Sequence, residues 1–244
     1  MATLAYTLIS ILIVSALSLV GVLYLSINEK TLKKILFYLV SFAAGGLLGA
    51  AFLDLLPEAD GGIAYAYVLA GLVFFFLIEN FLHWHHVHHE KKEAHSFAYM
   101  NLVGDGVHNL IDGAIIAGSY LVSVPLGVVT TIAVILHEIP QEFGDFAVLI
   151  YGGFTKGKAL FYNFLTALTA FIGAGLAYYF STAVQNFNSY LIPFAAGGFI
   201  YIATVDLLPA LRRETEKDFH KSVAQTIFVI LGIVMIWLAG KVIG

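Results

Sequence analysis

Eight apolar stretches punctuate the chain, at residues 4–27, 35–57, 62–83, 97–121, 125–151, 158–182, 188–209 and 222–243. Each is close to the roughly 20 residues a helix needs to cross a hydrocarbon core. The breaks between them carry polar or turn-forming runs: NEKTLKK at 28–34, PEADGG at 57–62, KGK at 156–158, QNFNS at 185–189 and RRETEKDFHK at 212–221. This pattern predicts an all-α membrane protein with eight transmembrane helices in a single polytopic domain, 1–244, with a His-rich loop at 84–96. The opening MATLAYTLISILIVSALSLVG lacks a basic n-region and stays apolar for longer than a secretory h-region, so it reads as the first span.

Basic residues fix the expected orientation, because Lys and Arg stay on the cytoplasmic side. Lys30, Lys33 and Lys34 lie between spans 1 and 2, Lys91 and Lys92 between 3 and 4, Lys156 and Lys158 between 5 and 6, and Arg212, Arg213, Lys217 and Lys221 between 7 and 8. Only Lys241 falls on the other side. Both termini are therefore expected outside, and the His-rich loop in the cytoplasm. The chain also repeats itself: AAGGLLGAAFLDLLPEA (43–59) on span 2 and AAGGFIYIATVDLLPAL (195–211) on span 7 share AAGG and DLLP in register. Spans 2 and 7 are five apart and run oppositely, which predicts an inverted-topology repeat and a 3+2+3 arrangement, with spans 1–3 matching 6–8.

Composition narrows the chemistry. At 60% hydrophobic and 11% charged, with mean hydropathy +0.89, the chain is built for lipid. Without cysteine, any metal must be held by His, Asp, Glu, Asn or Gln, which disfavours copper(I) and iron–sulfur chemistry. A formal charge of -4 leaves no basic surface for nucleic acid, and no ATP motif or organic-cofactor motif is present.

Ionisable residues inside a membrane mark function by default, and they gather on spans 4 and 5. At 100° per residue, Asn101, Asp105, His108, Asp112 and Ser119 fall within a stripe of about 60° on span 4. On span 5, HEIPQEFGD (137–145) places His137 and Gln141 about 40° apart, with Asp145 at about 80° and Glu138 at about 100° from His137. Each helix thus offers a ligand pair at i, i+4, namely His108/Asp112 and His137/Gln141, at matching depth near the midplane. Imidazoles with a carboxylate suit zinc, and also iron(II), manganese or cobalt. A neutral amide such as Gln141 is a weak ligand and fits a carrier that must release its ion. Pro140 removes a backbone bond and frees a carbonyl near His137.

HNLIDG and HEIPQEFGD resemble the fourth- and fifth-helix motifs of the ZIP (zinc- and iron-regulated transporter-like) family, the latter its HExPHExGD signature. The resemblance covers essentially the whole chain. It implies metal bound between spans 4 and 5 by His108, Asn109, Asp112, His137, Glu138 and Gln141. Gln141 stands where the signature has a second His. Span 6 offers only Asn163, Thr166 and Thr169, so one principal metal is expected, with any second site weak or absent.

The remaining acids sketch a transport path. Asp54 and its repeat partner Asp206 lie near opposite ends of their spans. Asp105, Glu142 and Asp145 lie about one turn cytoplasmic of the site, and Glu79 lies near the inner end of span 3. His83, His85, His86, His88, His89 and His95 form a run able to hold zinc loosely near the exit. These readings converge on a non-enzymatic divalent metal transporter in the cell (plasma or inner) membrane. Zinc is its expected substrate, moving into the cytoplasm by elevator-like alternating access, with iron(II), manganese and cadmium as further candidates and a homodimer as a candidate assembly. The alternative is an intramembrane zinc hydrolase with Glu138 as base; HEIPQ matches HExxH only until its last position.

Overall fold

The computed structural model describes residues 2–24, 29–59, 62, 64–87, 94–215 and 218–243, without side chains at 81–87, 94–97, 206 and some other helical positions. Among the described residues every regular element is a helix. Helix α1 is Ala2–Leu17, continued by a 3-10 turn, Ser18–Val20, and a short coil of helix, Gly21–Tyr24. Then follow α2 (Glu29–Gly49), α3 (Ala64–Val87), α4 (Ala94–Val122) and α5 (Val124–Tyr151). α6 comprises Lys156–Ala167 and Thr169–Ala183, α7 is Phe187–Tyr201 with an extension through Leu208–Thr215, and α8 is Phe219–Ile243.

Among the described residues six helices are long and apolar enough to cross a membrane, through Thr3–Val20, Lys34–Leu55, Val124–Ile150, Lys156–Ala183, Phe187–Val205 and Phe219–Val242. α3 has a shorter apolar stretch, Ala64–Asn80. α4 has 29 residues, ample for a span, but its polar seam interrupts its apolar character. α1 and α8 turn large apolar side chains outward, among them Ile9, Leu12, Ile230 and Trp237, as a lipid-facing surface requires.

Three boundaries differ from the sequence reading for identifiable reasons. The His-rich segment holds no Gly or Pro, and α3 is helical to Val87 and α4 from Ala94, past the bounds of 84–96 at both ends. The sixth span is broken at Leu168. There Thr166 donates to the Asn163 carbonyl at 2.8 Å and Thr169 to the Thr166 carbonyl at 2.7 Å, which diverts oxygens from the helical ladder. α5, by contrast, runs unbroken through Pro140.

Close helix packing rests on glycines facing bare backbone. A Cβ on Gly45 would strike the Val229 carbonyl, and one on Gly232 the Phe42 carbonyl, so α2 and α8 touch backbone to backbone. Gly197 against Val68 and Gly71 against Phe194 join α7 to α3 in the same way. The two seams correspond position by position: Phe42 and Gly45 map to Phe194 and Gly197, Val68 and Gly71 to Val229 and Gly232. Both AAGG helices then widen into a π turn, Ala50–Leu55 in α2 and Ile202–Leu207 in α7, again at equivalent positions. A third seam, Gly113 on Ala170 and Gly173 on Leu110, binds α4 to the second half of α6.

Candidate metal centre

A one-residue turn sets the register of the two central helices. Ser123 separates α4 from α5 and caps the latter, its hydroxyl accepting from the Leu126 amide at 3.2 Å, with Pro125 in the first turn. His108 lies 15 residues before Ser123 and His137 lies 14 after it. Folding the hairpin therefore brings them level, each about 21–22 Å from the turn at 1.5 Å per residue.

Four side chains meet there: His108 and Asp112 from α4, His137 and Glu138 from α5. The two imidazole Nε2 atoms stand 3.1 Å apart. Asp112 Oδ2 is 3.2 Å from His137 Nε2 and 3.7 Å from His108 Nε2, and Glu138 Oε1 is 3.4 Å from His108 Nε2 and 3.6 Å from His137 Nε2. A tetrahedral ion with bonds of about 2.0–2.1 Å has ligand atoms about 3.3–3.4 Å apart along each edge. The five distances scatter around that edge. Asp112, His137 and Glu138 are almost wholly buried, and His108 keeps 16% of its surface. Asp112 Oδ2 and both Glu138 oxygens are buried without a hydrogen bond, a costly state that a cation relieves. His137 Nδ1 lies 3.1 Å from the Ala133 carbonyl. A carbonyl only accepts, so Nδ1 carries the proton and Nε2 is left to face the cluster as a ligand.

A cavity of about 390 Å³ reaches this cluster. Phe75, Glu79, Asn101, Asp105, His108, Gln141, Asp145 and Tyr201 are among its lining residues, so it opens toward the end of α3, the start of α4 and the end of α5. On the opposite side the path is filled. Ile115, Ile116, Ala133 and Val134 pack with Leu47, Ala50, Ala51, Ala195, Ala196 and Phe199 in one continuous core. Phe75 meets His108 edge-on and Phe199 meets His137 likewise, with ring centroids 6.4 and 6.1 Å apart.

Of the residues singled out from sequence, His108, Asp112, His137 and Glu138 share one point, and Gln141 lines the adjoining cavity. Asn109 instead donates to Asp105, at 2.7 Å to Oδ1 and 3.1 Å to the carbonyl. Asp105, Asp145 and Glu79 stand on the cavity wall. Asp145 accepts from Asn101 at 2.9 Å and Glu79 accepts from the Tyr201 hydroxyl. Glu142 is turned toward α6, where Asn163 donates to it. Asp54 stands in the π turn of α2, its carboxylate beside Gly240 of α8, away from the cluster. The side chains of Asp206, His83, His85, His86 and His95, and all of His88 and His89, lie outside the described residues. Sequence reasoning missed Phe75 and Tyr201, because an aromatic in a membrane helix gives no signal that separates a site wall from a lipid face.

The family described as "ZIP Zinc transporter" matches residues 1–98 and 85–240. "Zinc transporter ZIP13" of Pongo abelii is 38% identical over 222 residues, covering 82% of this chain and 65% of its own length. "Zinc transporter zipt-7.2" of Caenorhabditis elegans is 30% identical over 300 residues, covering 96% of the chain and 64% of its own length. "Zinc transporter YKE4" of Saccharomyces cerevisiae is 30% identical over 234 residues, at 80% and 68%. The chain thus spans just under two thirds of the first two of these relatives.

Proposed function

The chain belongs to the ZIP family of zinc transporters, and on that premise we propose that it carries zinc across a membrane through the His108–Asp112–His137–Glu138 cluster, with Gln141 as a weak neighbouring ligand. The carrying observation is the cluster itself, four ligand atoms within 4.8 Å of one another at the inner end of a cavity. A structural zinc site would be sealed on all sides; here His108 stays exposed to the cavity. With the basic loops in the cytoplasm, the cavity opens inward, so an ion leaving the cluster meets Asp105 and Asp145 and then Glu79, the last held by Tyr201. Inward movement follows the membrane potential, at about 2.3 kcal/mol per charge per 100 mV. The hydrolase alternative finds no support, since the relatives are named as transporters and Glu138 is drawn into the cluster as a ligand.

The movement we infer is of one helix set against another. Side-chain hydrogen bonds tie α1, α4, α5 and α6 together: Ser10 to Tyr120, Thr7 to Tyr178, Ser15 to the Ala167 carbonyl, Thr130 to Ser119, and Thr169 to the Gly106 carbonyl. The glycine seams tie α2 to α8 and α3 to α7. The boundary between the two sets is faced by Phe75, Phe199, Gly46 and Leu136, apolar groups able to slide. Matching seams and π turns support an inverted repeat as the basis for alternating access. Purified protein in liposomes should take up zinc, and His108→Ala or His137→Ala should abolish uptake. Undiminished flux in both variants would sink the reading, and competition by iron(II), manganese and cadmium ranks the substrates.

A further inference from the structure

Of the four cluster ligands, His108 alone stands on the cavity wall. Asp112, His137 and Glu138 are closed off, so an ion moving between cluster and cavity passes the 16% of His108 that stays open. The Phe75 ring of α3 lies against that imidazole, its plane at 86° to it, and lines the same cavity. A phenyl ring has no lone pair to ligate a metal ion, so its effect here is steric.

The ring is held in place by α7. A Cβ on Gly198 would lie 2.5 Å from Phe75 Cε2 and 3.0 Å from Cζ, so glycine at 198 gives the ring its seat. Tyr201, almost one turn further along α7, packs on the ring with centroids 6.4 Å apart, and its own hydroxyl donates to Glu79 of α3. Phe74, next in sequence, packs on Phe194 of α7 at 5.3 Å. These contacts leave Phe75 only 7% exposed. A ring displaced from Gly198 has His108 and the cavity to move toward.

We propose that Phe75 is a kinetic gate: its ring, seated on Gly198, covers the open side of His108 and swings aside each time an ion passes between cluster and cavity. The inference rests on the cluster being the zinc site, and adds to it the residue that sets the rate of exchange. Binding that waits on a conformational change is slowed. A gate slows entry and exit alike and leaves affinity unchanged, whereas a ligand or its support alters affinity.

The test uses the full chain in lipid nanodiscs. Stopped flow follows zinc binding to the empty protein and zinc capture from the loaded protein by a fluorescent chelator, and isothermal titration gives Kd. Phe75→Ala should raise the on- and off-rates by a common factor of about ten, with Kd unchanged. Phe75→Leu, a milder change that spares the fold, should do the same by a smaller factor. Gly198→Ala should act in the opposite direction and slow both rates, because its methyl group pushes the ring over His108. The double variant Phe75→Ala/Gly198→Ala should exchange as fast as Phe75→Ala, since no ring is left to displace. Wild-type exchange rates in Phe75→Ala and Phe75→Leu overturn the proposal, as does a changed Kd with the on-rate untouched. Zinc that fails to bind, or binds equally well to His108→Ala, takes the transport reading down with this one; zinc held at the cluster but indifferent to Phe75 sinks this inference alone.

Discussion

A single backbone contact decides how His137 presents itself. The Ala133 carbonyl holds the Nδ1 proton, and Nε2 faces Asp112 Oδ2 at 3.2 Å. Groups that only support a ligand from behind count for about 10–100-fold in metal affinity, so removing a ligand should count for more. His137→Ala and Asp112→Ala are expected to weaken zinc binding by at least about 100-fold in isothermal titration, and Gln141→Ala by about tenfold or less, because Gln141 borders the cavity. Equal losses in all three would place the ion on the amide side. His108, Asp112 and His137 were legible from helical spacing alone. Glu138 was not: it lies about 100° around the helix from His137, and only the family resemblance put it among the ligands. Angles about one axis say which residues share a face but not where the partner helix crosses, and α4 crosses so that adjacent positions 137 and 138 both look at it.

At the level of helices, hydrophobic length announced the spans, and the AAGG repeats announced close packing, since small residues are what lets helix backbones meet in lipid. The backbone-to-backbone seams raise a sharp expectation. Gly45→Ala and Gly197→Ala each drive a methyl group into a carbonyl of the facing helix, of Val229 and Val68 respectively. Each should destabilise the protein by about 1–3 kcal/mol, the usual range for overpacking. Gly175→Ala, with nothing within 4 Å of its new Cβ, should leave the thermal midpoint unchanged. Comparable melting of all three would mean the seams are looser than drawn. The π turns were not legible, because AAFLDL and IATVDL contain no Gly or Pro to mark a change of hydrogen-bond register. The break at Leu168 left a faint trace in the paired threonines 166 and 169, visible only once their hydroxyls are seen on the carbonyls three residues back.

Over the whole molecule, the question is whether α5 moves past α2 during transport, and one contact allows a direct answer. Gly46 of α2 faces Leu136 of α5, next in sequence to His137 of the His–Asp–Glu cluster; a Cβ built at 46 lies 4.0 Å from that of Leu136, within the range a disulfide spans. The side-chain atom crowding that position, Leu136 Cδ1, disappears when both residues become cysteine. The chain has no native cysteine, so Gly46→Cys/Leu136→Cys introduces a single defined pair. Oxidation should bind the cluster-bearing helices to the glycine-seamed set in the arrangement seen here, open toward the ends of α3 and α5. Zinc should still reach the cluster through that cavity, and net uptake into liposomes should stop until a reductant is added. Binding retained with flux lost separates a blocked movement from a damaged site. Flux that continues through the oxidised protein would show that ions pass with α2 and α5 fixed together, as in a channel, and the two-body account would have to be abandoned.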